Sequence, residues 1–318
     1  MRYRTYSSYL KEKYGERVYK LPVNLPITCP NRDGCVGSGG CIFCGEEGAA
    51  FEKLPSTMRI SEQIAENMAF IGKKYKAKKF IVYFQNFTNT YMPLDKFKDC
   101  ILQAIGDNVV EIAISTRPDC IAEDYLKFLS DVSSSSGVCI SFELGLQTVN
   151  YKTLEKINRG HSLAEFIDAV YLIHKYGFSV CAHLILNLPW DDMTDVTECA
   201  KILSALRVEQ VKMHSLYIVK GTPMEKMYSN GDFSMGTYYD YVDRVINFLE
   251  YLDPNIVIQR IIGRAGAERT VFSNYGTSWW KIKDNIDAQL ELRDTYQGKK
   301  FDYLGGRALR QRGFEMHC

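Results

Sequence analysis

The sequence predicts an α/β fold built on a partial or complete parallel barrel. Short β-branched runs alternate regularly with amphipathic segments, which is the pattern of βαβ units with right-handed crossovers. About six such units fit before residue 216, more than a short doubly wound sheet needs. Several strands are interrupted by polar residues on one face only, as expected for a lumen that receives a ligand.

The expected strands are Phe80–Phe84, Glu111–Ser115, Val138–Leu144, Ser179–Leu186, Val211–Leu216 and Ile256–Ile261, with a less sharply marked first strand around Lys20–Asn24. Helical spacing covers Ser61–Tyr75, Leu94–Ile105, Ala122–Val132, Leu163–Tyr176, Thr194–Leu206 and Thr237–Leu252. Ser61 and Thr194 read as helix starts and Gly177 as a stop. The run Ser133–Ser136 reads as a loop. The organisation is then a basic extension over 1–19, a barrel core over 20–253, and a C-terminal extension over 254–318 that closes one side of the barrel.

The 318 residues are 46% hydrophobic and 24% charged, which supplies a full core and excludes a disordered chain, a collagen-like repeat or a small disulfide scaffold. No apolar run approaches the ~18 residues of a membrane span. The polar N-terminus lacks the apolar stretch of a secretory signal. Ten cysteines without an export signal point to a reducing, cytoplasmic setting, where paired Cys bind metal more often than they form disulfides.

The net charge of +1 gives no global field, but the charge is uneven. Residues 1–20 hold six basic residues (Arg2, Arg4, Lys11, Lys13, Arg17, Lys20) against Glu12 and Glu16. Lys73, Lys74, Lys76, Lys78 and Lys79 form a second basic run, and residues 297–318 a third. Aromatic residues interleave the two terminal segments. Such patches suit a phosphate backbone, and equally a solvated surface.

Strand parity puts Ser141 with Glu143, Cys181 with His183 and Ile185, and Lys212 with His214. A buried carboxylate, imidazole or ammonium costs several kcal/mol unless paired. These residues therefore either satisfy one another or face a ligand. They lie toward the C-terminal ends of their strands, where barrel enzymes place their sites.

The most specific signal is Cys29-Pro30-Asn31-Arg32-Asp33-Gly34 followed by Gly39-Gly40-Cys41-Ile42-Phe43-Cys44. Eleven residues separate Cys29 from Cys41, two separate Cys41 from Cys44, and a Gly-rich loop lets the three sulfurs converge. Three thiolates on a [4Fe–4S] cluster leave one iron open to a non-protein ligand. Cys35 lies between them, so a four-cysteine zinc site is the alternative.

This combination resembles the radical S-adenosylmethionine (SAM) superfamily, and more narrowly its bacterial members related to the catalytic subunit of elongator. Further landmarks are Tyr83–Tyr91, Thr116-Arg117-Pro118-Asp119, Glu143–Thr148, Asn158-Arg159-Gly160-His161, Lys212-x-His214 and Lys220-Gly221-Thr222. The resemblance implies a partial (β/α)6 TIM-like barrel, one [4Fe–4S] cluster held by Cys29, Cys41 and Cys44, and SAM. It also implies a tRNA-modifying activity. A 5′-deoxyadenosyl radical would abstract hydrogen from the glycine-like arm of wobble 5-carboxymethylaminomethyl-uridine, often 2-thiolated. Cleavage of the arm's bond to nitrogen would leave 5-aminomethyl-uridine. The implied partners are tRNA in its anticodon region and a flavodoxin- or ferredoxin-type electron donor, with no membrane.

In that frame Phe43 packs beside the adenine, and Gln85, Asn86 and Thr88 meet the methionine end of SAM. Glu143 and Gln147 suit a ribose hydroxyl or the SAM ammonium. Asn187 belongs to the SAM contacts, next to a Trp190 bulkier than the Gly common in relatives. Arg159 clamps a carboxylate. His183, Lys212 and His214 face the lumen as catalytic candidates that neutralise a substrate carboxylate or move a proton. Two alternatives remain at this level: a radical SAM enzyme acting on a small molecule or protein side chain, and a non-catalytic zinc-containing RNA-binding module.

Overall fold

Residues 1–46, 54–263 and 267–311 are described by a computed structural model. After helix α1 (Tyr6–Tyr14), seven parallel strands form one curled sheet, a half-barrel. They are β1 (Val18–Val23), β2 (Lys79–Phe84), β3 (Val109–Thr116), β4 (Cys139–Gln147), β5 (Ser179–Ile185), β6 (Gln210–His214) and, past the two-residue β7 (Ile218–Val219), β8 (Val257–Arg260), which pairs with β6. The short β7 pairs antiparallel with β9 (Thr270–Phe272).

Crossover helices α2 (Ile60–Tyr75), α3 (Leu94–Leu102), α4 (Glu123–Ser136), α6 (Leu163–Lys175), α7 (Met193–Ala205) and α9 (Tyr238–Tyr251) bury their apolar stripes against the outer face of the sheet, around Phe84, Phe97, Phe142, Phe166 and Phe248. The short α5 (Tyr151–Lys156) follows β4, α8 (Pro223–Ser229) follows β7, and α10 (Trp279–Leu292) and α11 (Arg307–Gln311) follow β9. A second apolar cluster, around Leu154, Ile185, Leu188, Leu216 and Met224, supports the loops at the C-terminal ends of the strands.

The inner face follows the expected alternation, and its lower half is filled from an unexpected source. Helix α1 touches both edge strands, β1 and β8, and spans the gap between them. Thr5 pairs with Ile258, whose N–H donates to the Arg4 carbonyl. Tyr6, Tyr9, Leu10 and Tyr14 pack onto Val18, Ile81, Tyr83 and Ala113. Three of the six basic residues of this segment are consumed by distant acids. Arg2 meets Glu291 and Asp294, Lys13 meets the buried Glu111, and Lys20 meets the buried Glu143.

Local expectations need three corrections. Ser133–Ser136 is the last turn of α4, not a loop: Ser135 and Ser136 donate back to the carbonyls of Asp131 and Val132, and Gly137 closes the helix at φ 73°. The cap of α7 is Asp192, in a reciprocal box with Asp195, rather than Thr194. The cap of α2 is Arg59, whose N–H donates to Glu62, and Ser61 lies inside the first turn rather than ahead of it. Of the C-terminal basic segment, Arg312, Glu315 and Cys318 lie outside the described residues.

Candidate active site

The loop carrying the three cysteines is locked onto the mouth of the barrel by the Asn158–His161 motif. Asn31 is fully buried, and its amide donates to the Asn158 carbonyl at 2.6 Å. Asn158, at φ 51°, returns a bond from its own amide to the Gly40 carbonyl at 2.8 Å. Gly160 has φ 75°, and a Cβ there would stand 2.5 Å from the Asn31 Oδ1, so only glycine fits. Arg117, held bidentately by Asp119 at 2.8 and 2.7 Å, donates to the Arg159 carbonyl at 2.8 Å. The Ile42 N–H donates to the Ile157 carbonyl and the Met224 N–H to the Ile42 carbonyl, fixing the far side of the loop.

This frame brings Cys29, Cys41, Cys44 and Phe43 to the wall of one cavity of about 460 Å³, together with Gln85, Thr88, Glu143, Gln147, Arg159, His183, Lys212 and His214. The sulfurs have cationic neighbours. Arg159 approaches the Cys41 Sγ at 3.6 Å and Arg32 the Cys44 Sγ at 3.3 Å, and Arg32 also lies over the Phe87 ring. Burial and the neighbouring Cys41 push the Cys44 thiol up, and Arg32 opposes them.

Two predicted residues stand elsewhere. Asn86 is buried behind the wall, donating to the Asn24 Oδ1. Asn187 ties the Tyr275 hydroxyl to the Leu216 N–H and faces a separate cleft. Trp190 packs edge-on against Phe233 under Lys156, away from the cavity. Cys35 is exposed, its N–H bonded to its neighbour Asp33, and it does not line the cavity, so the four-cysteine zinc set is not assembled.

Behind the sulfurs lies a charged lumen centred on Glu143, which is 1% exposed. One carboxylate oxygen accepts from Lys20. The other accepts from the Tyr83 hydroxyl at 2.7 Å, His183 Nε2 at 2.6 Å and Lys212 Nζ at 2.8 Å. Both lysines also lie over the Tyr83 ring, at 4.6 and 4.7 Å from its centroid. Burial alone would raise the Glu143 pKa, but Lys20, Lys212 and His183 hold it well below the usual carboxylate range. Burial, aided by Lys212, lowers His183 to about 4, and burial lowers Lys212 to about 8. His214 is pushed well below its ordinary value by burial and then by Arg260. Glu143, Cys181 and His183 bring donor atoms within 4.8 Å of one another, yet two ammonium groups already occupy that carboxylate.

Sequence reasoning gave no site role to Lys20, Tyr83, Arg32, Phe87 and Arg260, although Arg32, Tyr83 and Phe87 lie within its motifs. Lys20, Tyr83 and Arg260 were legible from parity, since Tyr83 alternates with Ile81 on β2 and the other two interrupt apolar strands.

Two family models cover most of the chain. The Radical SAM superfamily model matches residues 32–203, and the Radical_SAM C-terminal domain model matches residues 208–292. The chain belongs to the radical SAM superfamily. It is 35% identical over 304 residues to the protein YtqA of Bacillus subtilis (strain 168), covering 95% of this chain and 94% of that one. It is 25% identical over 155 residues to Elongator complex protein 3 of Homo sapiens, covering 48% of this chain and 27% of the human protein. The fold matches a structure of the archaeal Methanocaldococcus infernus Elp3 at a TM-score of 0.68 and 16% identity, over 88% of this chain and 64% of that one.

Radical SAM membership brings a [4Fe–4S] cluster and SAM as cofactors. The donor set fits both groups. Three cysteines share one wall, with guanidinium groups against two of their sulfurs. Two lining residues hold buried polar atoms without a partner, Thr88 Oγ1 and Arg159 Nε. No helix among the described residues is long and apolar enough to cross a membrane.

Proposed function

We propose that this radical SAM enzyme modifies tRNA at the wobble uridine, converting 5-carboxymethylaminomethyl-uridine or its 2-thio form to 5-aminomethyl-uridine. With water the two carbons of the arm leave as glyoxylate, and the two electrons this releases match those consumed when SAM becomes methionine and 5′-deoxyadenosine. The observation that carries the reading is a cavity with three thiols at its mouth and a cation-rich lumen behind them, suited to an anionic arm. The partial similarity to Elongator complex protein 3 supports RNA as the macromolecule that carries the arm.

Cys29, Cys41 and Cys44 hold the cluster, and Arg159 and Arg32 balance the charge on their sulfurs. The bound cofactors supply one-electron cleavage of SAM and a radical able to take hydrogen from an unactivated C–H bond. Thr88, Gln85 and Gln147 would bind and orient the cofactor, and Phe43, on the same cavity wall, would exclude water beside it. Glu143 is occupied by four donors, so its part is to hold Lys212 and His183 in place rather than to bind a ribose hydroxyl. His183, neutral at pH 7, and Lys212 are the proton-handling groups nearest the lumen centre. A flavodoxin- or ferredoxin-type protein supplies the electron.

The test is anaerobic incubation of the reconstituted protein with SAM, reductant and tRNA carrying the longer arm. Both 5′-deoxyadenosine and 5-aminomethyl-uridine should accumulate. Deoxyadenosine without any new nucleoside would point instead to a small-molecule or protein substrate.

A further inference from the structure

Arg260 is unexplained by the contacts that organise the rest of the lumen. It ends β8, opposite Lys212 of β6, and lines the same cavity as the cysteines. One guanidinium nitrogen lies 3.0 and 2.9 Å from the two ring nitrogens of His214. Its Nε is buried without a partner. Among the described residues no carboxylate pairs with it. The two acids of the lumen are already engaged, Glu143 by its four donors and Glu111 by Lys13, Tyr14 and Ser141. Lys20, Lys212 and Arg260 therefore face a single free-standing negative charge. An excess of buried cation is costly until an anion arrives.

We propose that Arg260, with Lys212 beside it, binds the carboxylate of the substrate's arm inside the lumen. This rests on the function proposed above and names the group that the lumen recognises. A guanidinium offers a planar fork that matches a carboxylate, and His214 holds that fork in one rotation. Glu143 keeps Lys212 in reach without neutralising both lysines. The product arm has lost its carboxylate, so the same contact separates substrate from product and lets the product leave.

The test has two arms, both run anaerobically on holoenzyme. The first follows thermal stability with N-ethylglycine, a carboxymethylamine, against N-ethylglycinamide, which lacks the carboxylate, at matched ionic strength. Wild type is expected to be stabilised by the acid and not by the amide. Arg260→Gln should respond to neither, and Arg260→Lys, which keeps the charge without the fork, should respond weakly. An equal response of wild type to acid and amide, or an acid preference that survives in Arg260→Gln, overturns the assignment.

The second arm measures binding of anticodon stem-loops whose wobble uridine carries the carboxymethylaminomethyl or the aminomethyl group. Wild type should prefer the acid arm by roughly 10- to 100-fold, the effect of one charge-assisted contact. Arg260→Gln should bind both as wild type binds the aminomethyl form. Preference for the small acid with no binding of either stem-loop would refute the RNA reading and uphold the carboxylate site. Should Arg260→Gln fail to fold, Arg260→Lys carries both arms, with a weakened acid preference expected and an unchanged one overturning the assignment.

Discussion

Replacing Glu143 by glutamine keeps the shape of the side chain and removes the charge that two lysines share. At an effective dielectric of about 20, unit charges separated by the 2.8 Å of the Lys212 contact attract by roughly 6 kcal/mol. Part of that loss is recovered, because Lys212, already lowered to about 8, sheds its proton once its partner is gone. Breaking a buried pair by removing one member costs about 3–5 kcal/mol, and Glu143→Gln should fall in that range. In thermal unfolding of the reduced protein at pH 7 this is a drop of roughly 5–10 °C. Glu143→Asp, which retains the charge one methylene short, should lose roughly a third as much. A glutamine variant within about 1 kcal/mol of wild type would refute the argument that this carboxylate is the electrostatic anchor of the lumen.

Lys212 titrates lower in the folded chain, about 8 against 10.5, so the unfolded chain binds more protons between those values. Stability relative to Lys212→Met should therefore rise from pH 8 to pH 10.5, by up to about 3 kcal/mol in denaturant unfolding; a flat difference contradicts the burial of its charge. Asp191 shows the opposite displacement, raised to about 6 mainly by burial, with one oxygen unpartnered. Its contribution is present at low pH and lost as pH rises through 6, so Asp191→Asn should stabilise the protein at pH 7 by roughly 1–3 kcal/mol and have no such effect at pH 4. Cys41→Ala should abolish bound iron and visible absorbance after anaerobic reconstitution, whereas Cys35→Ala, at an exposed position outside the cavity, should retain both; loss of iron in the Cys35 variant would restore the four-cysteine site.

The strands and helices were legible because each carries its own signal. Runs such as Phe80–Phe84 and Ser179–Ile185 are β-branched and apolar, and the crossover helices have one apolar stripe. The cysteine loop and the Asn158–His161 motif were legible as separate motifs, but not as one interlocked unit. The bond between Asn31 and Asn158 joins positions 127 residues apart, and no local pattern encodes it. Asn86 and Asn187 show the reverse: both sit in polar turns after strands, yet the Asn86 amide nitrogen and both ends of the Asn187 amide bond neighbouring chain segments and neither residue lines the cavity. The charge of the N-terminal segment misled for a related reason. Composition left its lysines and arginines to a phosphate backbone or to solvent, while Glu111, Glu143, Glu291 and Asp294 neutralise Arg2, Lys13 and Lys20 from distant parts of the sequence.

The seating of α1 sets an order on assembly. Arg4 donates to the carbonyl of Asn255, 251 positions later, and Ile258 receives the chain at Thr5. At about 5–20 residues per second, a ribosome needs roughly ten seconds to a minute to cover that separation. Through that interval α1 can reach β1, β2 and β3, which carry its tyrosine contacts, but not β8, and that side of the barrel floor stays open. The earliest part of the polypeptide thus completes its contacts only when the last strand of the sheet arrives.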